Sequence, residues 1–357
     1  MEYLAWAKIH DRVRFELTAS GVSPAALADF EADALPVELE TRGTYGDPRL
    51  IDRIAARYHV PAGSVVPVPG ASSANFIALA IAIQRGEVVM VEQPVYDPIG
   101  RAAAFLELEV VPLRRLPGDS FNVRLEDIEA GLRRGVRAVF LTNLHNPSGQ
   151  LLTRGAVQQI AAACAAVDAA LIIDEVYLDA AHINASQSRW TAAAVADNCI
   201  VTNSLTKVYG LGGLRVGWLV ANPDYTRRAR QVMDLLSVEN AAPSSALAIQ
   251  AFARIEQLEE RYRRAYGTGQ PVFRQWLKGE TLVQGYDSNG ALYECVRLPS
   301  GMSPDNLNKH LVAKYDTQVT PGSFFGLNDH IRVSIAPPAA ELAEGLARIS
   351  LALRDLL

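Results

Sequence analysis

Short apolar runs recur along the first two thirds of the chain: "SVVPVPG" (64–70), "EVVMVEQP" (87–94), "RAVFLTN" (137–143), "ALIIDE" (170–175), "CIVTNSL" (199–205) and "RVGWLVA" (215–221). They are continuous rather than alternating, and many end in polar or turn residues. That predicts strands buried on both faces of a mostly parallel sheet. Helical patterns lie between several of them, over 71–85, 97–106, 124–134 and 153–168. Strands alternating with helices predict an α/β layer structure. After about residue 240 the texture changes. A long helical stretch rich in Glu and Arg runs from Ser244 to about Leu277. Then come "ALYECVRL", "TQVTPGSFFG" and "HIRVSIAP", separated by helices at 303–313 and 338–356. This predicts a smaller α+β domain, with the N-terminal segment packed against it. The expected division is a large domain over 36–240 and a small one made of 1–35 plus 241–357.

Composition narrows the partners. The 357 residues carry 34 basic and 39 acidic side chains, a net charge of −5, with no long block of one sign. Nucleic acid needs a basic face, so it is excluded as a partner. Cys164, Cys199 and Cys295 lie far apart and suggest neither a disulfide framework nor a metal cluster. They fit a reducing cytosol, and "MEYLAWAKIHDR" lacks the apolar core of a secretion signal. A cytoplasmic protein is therefore expected. Residues 60–84 carry no formal charge, but Pro61, Pro67 and Pro69 interrupt them. The apolar run "FIALAIAI" is too short for a bilayer, which takes about 20 residues. A buried helix is expected there, and no membrane partner.

In open parallel sheets, ligands bind outside the carboxyl ends of the strands. Those ends offer Gly70, Ala71 and Ser72; Pro94 and Tyr96; Asn143 to Asn146; Asp174 with Tyr177; and Ser204 with Lys207. Taken singly they mean little. An Asp-Glu after an apolar run is often a strand end meeting solvent. "HNPSG" is a turn by composition, and a lone lysine is usually a surface charge. The glycines of 210–217 imitate a dinucleotide fingerprint, but that motif needs a strand before and a helix at the glycines. Here they run into "LRVGWLVA", which reads as another strand. A phosphate-binding P-loop fails because no Gly-Lys-Ser/Thr follows a four-residue gap.

The series is far more specific than its parts: G-A-S (70–72), P-V-Y (94–96), N-P-S-G (146–149), D-x-x-Y (174–177), S-x-T-K-x-x-G-x-x-G-x-R-x-G (204–217), and a late Arg332 in "IRVSIA". It resembles the class I/II aminotransferases, the fold-type I enzymes that depend on pyridoxal phosphate, from about Tyr45 to Arg332. The resemblance implies that Lys207 carries the cofactor covalently and moves the substrate's α-proton. Asp174 would face the pyridine nitrogen, and a carboxylate there keeps that nitrogen protonated. Tyr177 and Asn146 would reach the ring's phenolic oxygen, and Tyr96 would stack on the ring face. Ala71 and Ser72, at a helix start, would bind the phosphate together with Ser204 and Arg215. Tyr45 would reach the phosphate of a neighbouring subunit, which implies a homodimer with shared sites. Arg332 would grip the substrate α-carboxylate, with Asn146 beside it and a backbone N–H from Gly21 as a further contact. The local pattern at Gly21 departs from the family's commoner Gly-Glu-Pro.

The implied reaction is transfer of an amino group between an L-amino acid and a 2-oxo acid, with ping-pong kinetics. Members that act on dicarboxylates often carry a second arginine near the stretch "LLSVENAAPSS" (235–245), and none is present here. Trp6, His10 and Arg12 are candidates to line the side-chain pocket, or to pack the small domain. The donor, the acceptor and the pathway are not legible. The main rival keeps the cofactor and makes the chain a decarboxylase or a β-elimination lyase, since fold does not fix function. A second rival, a cofactor-sensing regulator, would call for a basic DNA-binding extension, which the sequence lacks.

Overall fold

The structure is a computed structural model that describes residues 2–9, 12–30, 39, 45–185 and 189–357. Its strands in chain order are β1 (Phe15–Leu17), β2 (Val65–Val68), β3 (Val88–Gln93), β4 (Glu109–Arg114), β5 (Val136–Thr142) and β6 (Ala170–Asp174). They continue with β7 (Cys199–Ser204), β8 (Gly217–Val220), β9 (Gln284–Gly285), β10 (Tyr293–Arg297), β11 (Thr317–Pro321) and β12 (His330–Ser334). Among the described residues, seven strands form one sheet in the order β2-β8-β7-β6-β5-β3-β4. Every neighbouring pair is parallel except the two that involve β8. The mostly parallel α/β fold expected from the apolar runs is therefore present.

The continuous character of those runs has a direct cause. Successive residues of a strand point to opposite faces. Val139, Leu141, Leu171, Ile173 and Val201 enter one apolar core. Their neighbours Ala138, Phe140, Ala170, Ile172 and Ile200 enter a second core. Both faces are covered by helices, so neither position of the alternation can be polar. The uncharged stretch forms the helix Ala71–Ala82, which packs into the second core. No helix among the described residues is long and apolar enough to cross a membrane.

The remaining strands form a five-stranded sheet, β1-β11-β12-β10-β9. β1 pairs in parallel with β11, Phe15 opposite Thr317 and Leu17 opposite Val319, so an N-terminal strand joins a C-terminal sheet. Two local expectations are corrected. The helical stretch from Ser244 to Leu277 is two helices, Ala242–Ala253 and Ile255–Gly279, parted at Arg254, whose φ of −124° and ψ of 31° leave the helical region. β4 was not expected at all. It is an edge strand with mostly exposed side chains, and its short run "VVPL" (110–113), close to the "VVPV" of β2, is flanked by Glu109 and Arg114.

Candidate active site

The carboxyl edge of the seven-stranded sheet opens into a cavity of about 500 Å³. Ala71 and Ser72 line it from the turn after β2, Tyr96 from the turn after β3, and Asn146 from the turn after β5. Asp174 and Tyr177 line it from the end of β6, Ser204 and Lys207 from the end of β7, and Arg215 from the turn before β8. Segments more than a hundred residues apart thus meet because parallel strands end at one edge.

Asp174 sits at the floor, with Thr142 and Thr202 beside it in register on the adjacent strands. The Asn75 amide donates to its Oδ2 at 2.7 Å, and the Val176 N–H to its Oδ1 at 3.0 Å. Asn75 is itself fixed by the Thr202 hydroxyl, which donates to its Oδ1 at 2.5 Å. Burial lifts the Asp174 carboxyl above its usual range, and the Asn75 bond, the Val176 bond and the Lys207 charge offset only part of that. No cation pairs with it among the described residues. A buried carboxylate left in this state suits a positively charged ring nitrogen.

Lys207 is half-buried, and its Nζ donates to Ser20 Oγ at 3.0 Å. The N-terminal segment crosses its backbone, where Val22 N–H donates to the Lys207 carbonyl at 3.0 Å. Gly21 comes so close that a Cβ there would lie 2.5 Å from that carbonyl oxygen. Gly21 thus packs on the Lys207 backbone, and it is Ser20 that faces the cavity.

An anion cradle forms beside the floor. The helix Ala71–Ala82 starts after Gly70, which has a φ of 86° and offers no side-chain cap. Its first N–H groups lack partners within the helix and point to the cavity end. The Arg215 guanidinium lies against Gly70, and its Nη2 donates to the Pro69 carbonyl at 3.2 Å. No carboxylate neutralises it among the described residues. Gly217 crosses Gly70 so tightly that a Cβ would lie 2.6 Å from the Gly70 carbonyl carbon. The glycines therefore let two backbone segments cross, which closes the cradle.

Arg332 on β12 lies behind the wall, only 1% exposed. Its Nη1 donates to Asn146 Oδ1 at 2.9 Å, and its Nη2 donates to the Tyr3 hydroxyl at 3.1 Å and to the Thr18 carbonyl at 3.2 Å. Asn146 therefore spends its carbonyl on Arg332 and keeps its NH₂ for the cavity. Tyr177 is held edge-on by Tyr293, with ring centroids 5.1 Å apart, and Tyr96 edge-on by Tyr3 at 5.7 Å.

Tyr45 is not brought to this cavity. It is exposed, and the Arg230 guanidinium lies 5.5 Å from its ring. Trp6 packs on Phe324 at 5.1 Å, Arg12 is exposed, and neither lines the cavity. His10 lies outside the described residues. The N-terminal wall is Tyr3, Leu4 and Lys8 instead. Sequence reasoning also missed Asn75, Thr142 and Thr202. Asn75 had a signal: it is an amide inside "ASSANFIALAIA", a helix otherwise apolar beyond its first turn.

A family model described as "Aminotransferase class I and II" matches residues 21–349. An arginine–pyruvate transaminase of Pseudomonas aeruginosa is 27% identical, over 94% of this chain and 88% of that protein. A capreomycidine synthase of Streptomyces vinaceus is 28% identical, over 96% of this chain and 87% of its own. A solved structure of a PLP-dependent aminotransferase from Streptococcus suis superposes with a TM-score of 0.91 at 22% identity, covering 99% of this chain and 96% of that one, and so shares the fold.

Proposed function

Because this chain belongs to the class I and II aminotransferase family, we propose that Lys207 is its cofactor lysine and the proton carrier of its reaction. The chain is a pyridoxal-phosphate-dependent aminotransferase that moves an amino group between an amino acid and a 2-oxo acid. The observation that carries the site assignment is the convergence of Lys207, Asp174 and the Gly70–Arg215 cradle on one cavity.

Pyridoxal phosphate supplies an electron sink for negative charge that develops at the substrate Cα. Asp174, buried and without a cation of its own, would hold a proton on the ring nitrogen. Asn146 and Tyr177 direct donors to the ring's phenolic oxygen, and Tyr96 supports the ring face. The N–H groups of Ala71 and Ser72, the Ser204 hydroxyl and the Arg215 guanidinium take the phosphate. Arg332, with Asn146, binds the substrate α-carboxylate, and Gly21 shapes the backbone beside it. Lys207 Nζ would take the α-proton from the substrate and hold it for return. Release of the first 2-oxo acid before the second binds would give ping-pong kinetics.

The proposal extends to assembly. Tyr45 has no place in its own chain's cavity, which supports a homodimer in which it serves the neighbour's phosphate. Residues 36–240 act as the cofactor domain, residues 1–35 plus 241–357 as the small domain, and the enzyme works in the cytoplasm. The absence of arginine over 235–245 argues against a dicarboxylate held from that segment.

The test is the visible absorbance of the purified protein, with Lys207→Ala alongside, as single amino acids are added. One amino acid should bleach the band until a 2-oxo acid restores it, and the variant should do neither. Pyruvate and ammonia released without an acceptor would favour the lyase alternative. Failure to form any band with pyridoxal phosphate supplied would remove the site assignment.

A further inference from the structure

The hydroxyl of Tyr3 has an unspent proton. Tyr3 lies in the helix Glu2–Ile9, lines the cavity, and is 8% exposed. Its oxygen accepts from Arg332 Nη2 at 3.1 Å. A phenol that accepts still has one O–H to donate, and among the described residues no acceptor takes it. Burial pushes the Tyr3 hydroxyl pKa up, but the charges of Arg332 and Lys207 outweigh this and hold it below its usual value. Such a phenol is a strong donor to an anion. The ring is fixed from several sides, by Tyr96 at 5.7 Å, Phe324 at 5.6 Å and Phe325 at 5.7 Å. Its hydroxyl is therefore held against Arg332, on a ring that lines the same cavity as Lys207.

We propose that Tyr3 is a second reader of the substrate α-carboxylate, donating its O–H to the group that Arg332 binds. The amino-terminal helix is then part of the substrate site. This rests on the assignment of Arg332 as the carboxylate ligand. It explains why the helix places Tyr3 rather than Trp6 at the cavity, and why Arg332 is not neutralised by an acid among the described residues.

The test is Tyr3→Phe in the holoenzyme. This variant keeps the ring and its aromatic contacts and removes one hydroxyl. A hydrogen bond to a charged group changes affinity by about 10- to 100-fold. KM for both the amino acid and the 2-oxo acid should therefore rise about tenfold or more, while kcat changes less than about threefold. A simple alkylamine, which has no carboxylate, should bleach the cofactor band at the same rate in both proteins. Affinity for an unreactive short-chain carboxylic acid, measured by calorimetry, should fall with KM. Unchanged KM and carboxylate affinity would overturn the proposal. An equal loss for the alkylamine and the amino acid would overturn it too, since that is the mark of helix packing. If the wild type transfers no amino group, the calorimetric arm still decides. Tyr3-dependent carboxylate binding would then uphold the proposal while the aminotransferase reading falls.

Discussion

Asp174 and Asp179 stand five positions apart, both buried, at 5% and 2% exposure, and they have opposite electrostatic fates. Asp174 forms the floor of the cavity. Its partners are an amide and a backbone N–H, and its carboxyl is held above the usual range, first by burial. Asp179 lies behind the cavity in a hub of charges. It accepts from Arg189 at 2.9 Å, from Tyr209 at 2.5 Å and from Tyr58 at 3.0 Å. Arg57 lies 3.8 Å away and also reaches Glu259. Burial pushes Asp179 up as well, but Arg57 and its other partners overwhelm this and hold it far below the usual range. Both aspartates are equally out of water. The difference is whether the protein supplies the counter-charge itself. Where it does, the carboxylate is architecture. Where it does not, the carboxylate is left free to meet a charge from outside the chain, the role proposed for Asp174.

The strongest way to break this comparison is to remove each carboxylate in turn. Asp174→Ala should lower turnover by on the order of 10³-fold, since a preorganised group facing the reacting system is lost. Denaturant unfolding of its cofactor-free form should change by no more than about 1–3 kcal/mol, the cost of the Asn75 amide and Val176 N–H left without their acceptor, because no buried cation is orphaned. Asp179→Ala should do the reverse. It should cost about 3–5 kcal/mol of stability, because Arg57 and Arg189 would then share Glu259 alone and the buried Tyr58 and Tyr209 hydroxyls would lose their acceptor. Turnover per folded molecule should fall far less than for Asp174→Ala. Equal stability losses in the two variants would show that the comparison fails.

A smaller effect sharpens it. Gly217→Ala forces a methyl group against the Gly70 backbone, where no flexible side chain can yield. Overpacking of this kind costs about 1–3 kcal/mol. The strain falls on the cradle and not on the Asp179 hub. Affinity for pyridoxal phosphate, measured by spectral titration, should therefore weaken, while the absorbance maximum stays in place.

The sequence made the cavity floor legible for a physical reason. Parallel strands end at a common edge, so residues that follow apolar runs had to meet, which picked out Asp174 and Lys207; Arg215, at the start of the run 215–221, came with the family resemblance. The hub was not legible. Asp179, Arg57 and Glu259 follow no apolar run, and nothing local marks them as partners. Asn75 was missed because it sits inside a helical pattern, where an isolated amide looks like noise. Tyr3 was missed because its meaning depends on β1 pairing with β11, which carries the N-terminal segment to Arg332 across most of the chain. The break at Arg254 was missed because no Gly or Pro marks it, although the uncharged "APSSALAIQAFA" gives way there to a helix rich in Glu and Arg. Motifs at strand ends survive in a single sequence, while pairings between remote segments appear only in three dimensions.

The finest test uses pH, and the two aspartates should give opposite signs. A carboxyl whose folded pKa is raised binds more protons in the folded state than in the unfolded state. For Asp174 in the cofactor-free protein, stability should therefore decline as pH rises from 3.8, the ordinary value, through its elevated folded value. Asp179 has a depressed folded pKa. Its contribution is present above 3.8 and is lost as pH falls below that value toward its folded pKa. Denaturant midpoints across this range, each variant compared with the parent, isolate the two contributions. Relative to the parent, cofactor-free Asp174→Ala should gain stability as pH rises through the window above 3.8. Asp179→Ala should converge on the parent as pH falls below it. Saturating pyridoxal phosphate should reverse the Asp174 slope, because the ring nitrogen then supplies the missing positive charge and the folded carboxyl is drawn down. A slope that ignored the cofactor would mean that Asp174 was never waiting for one.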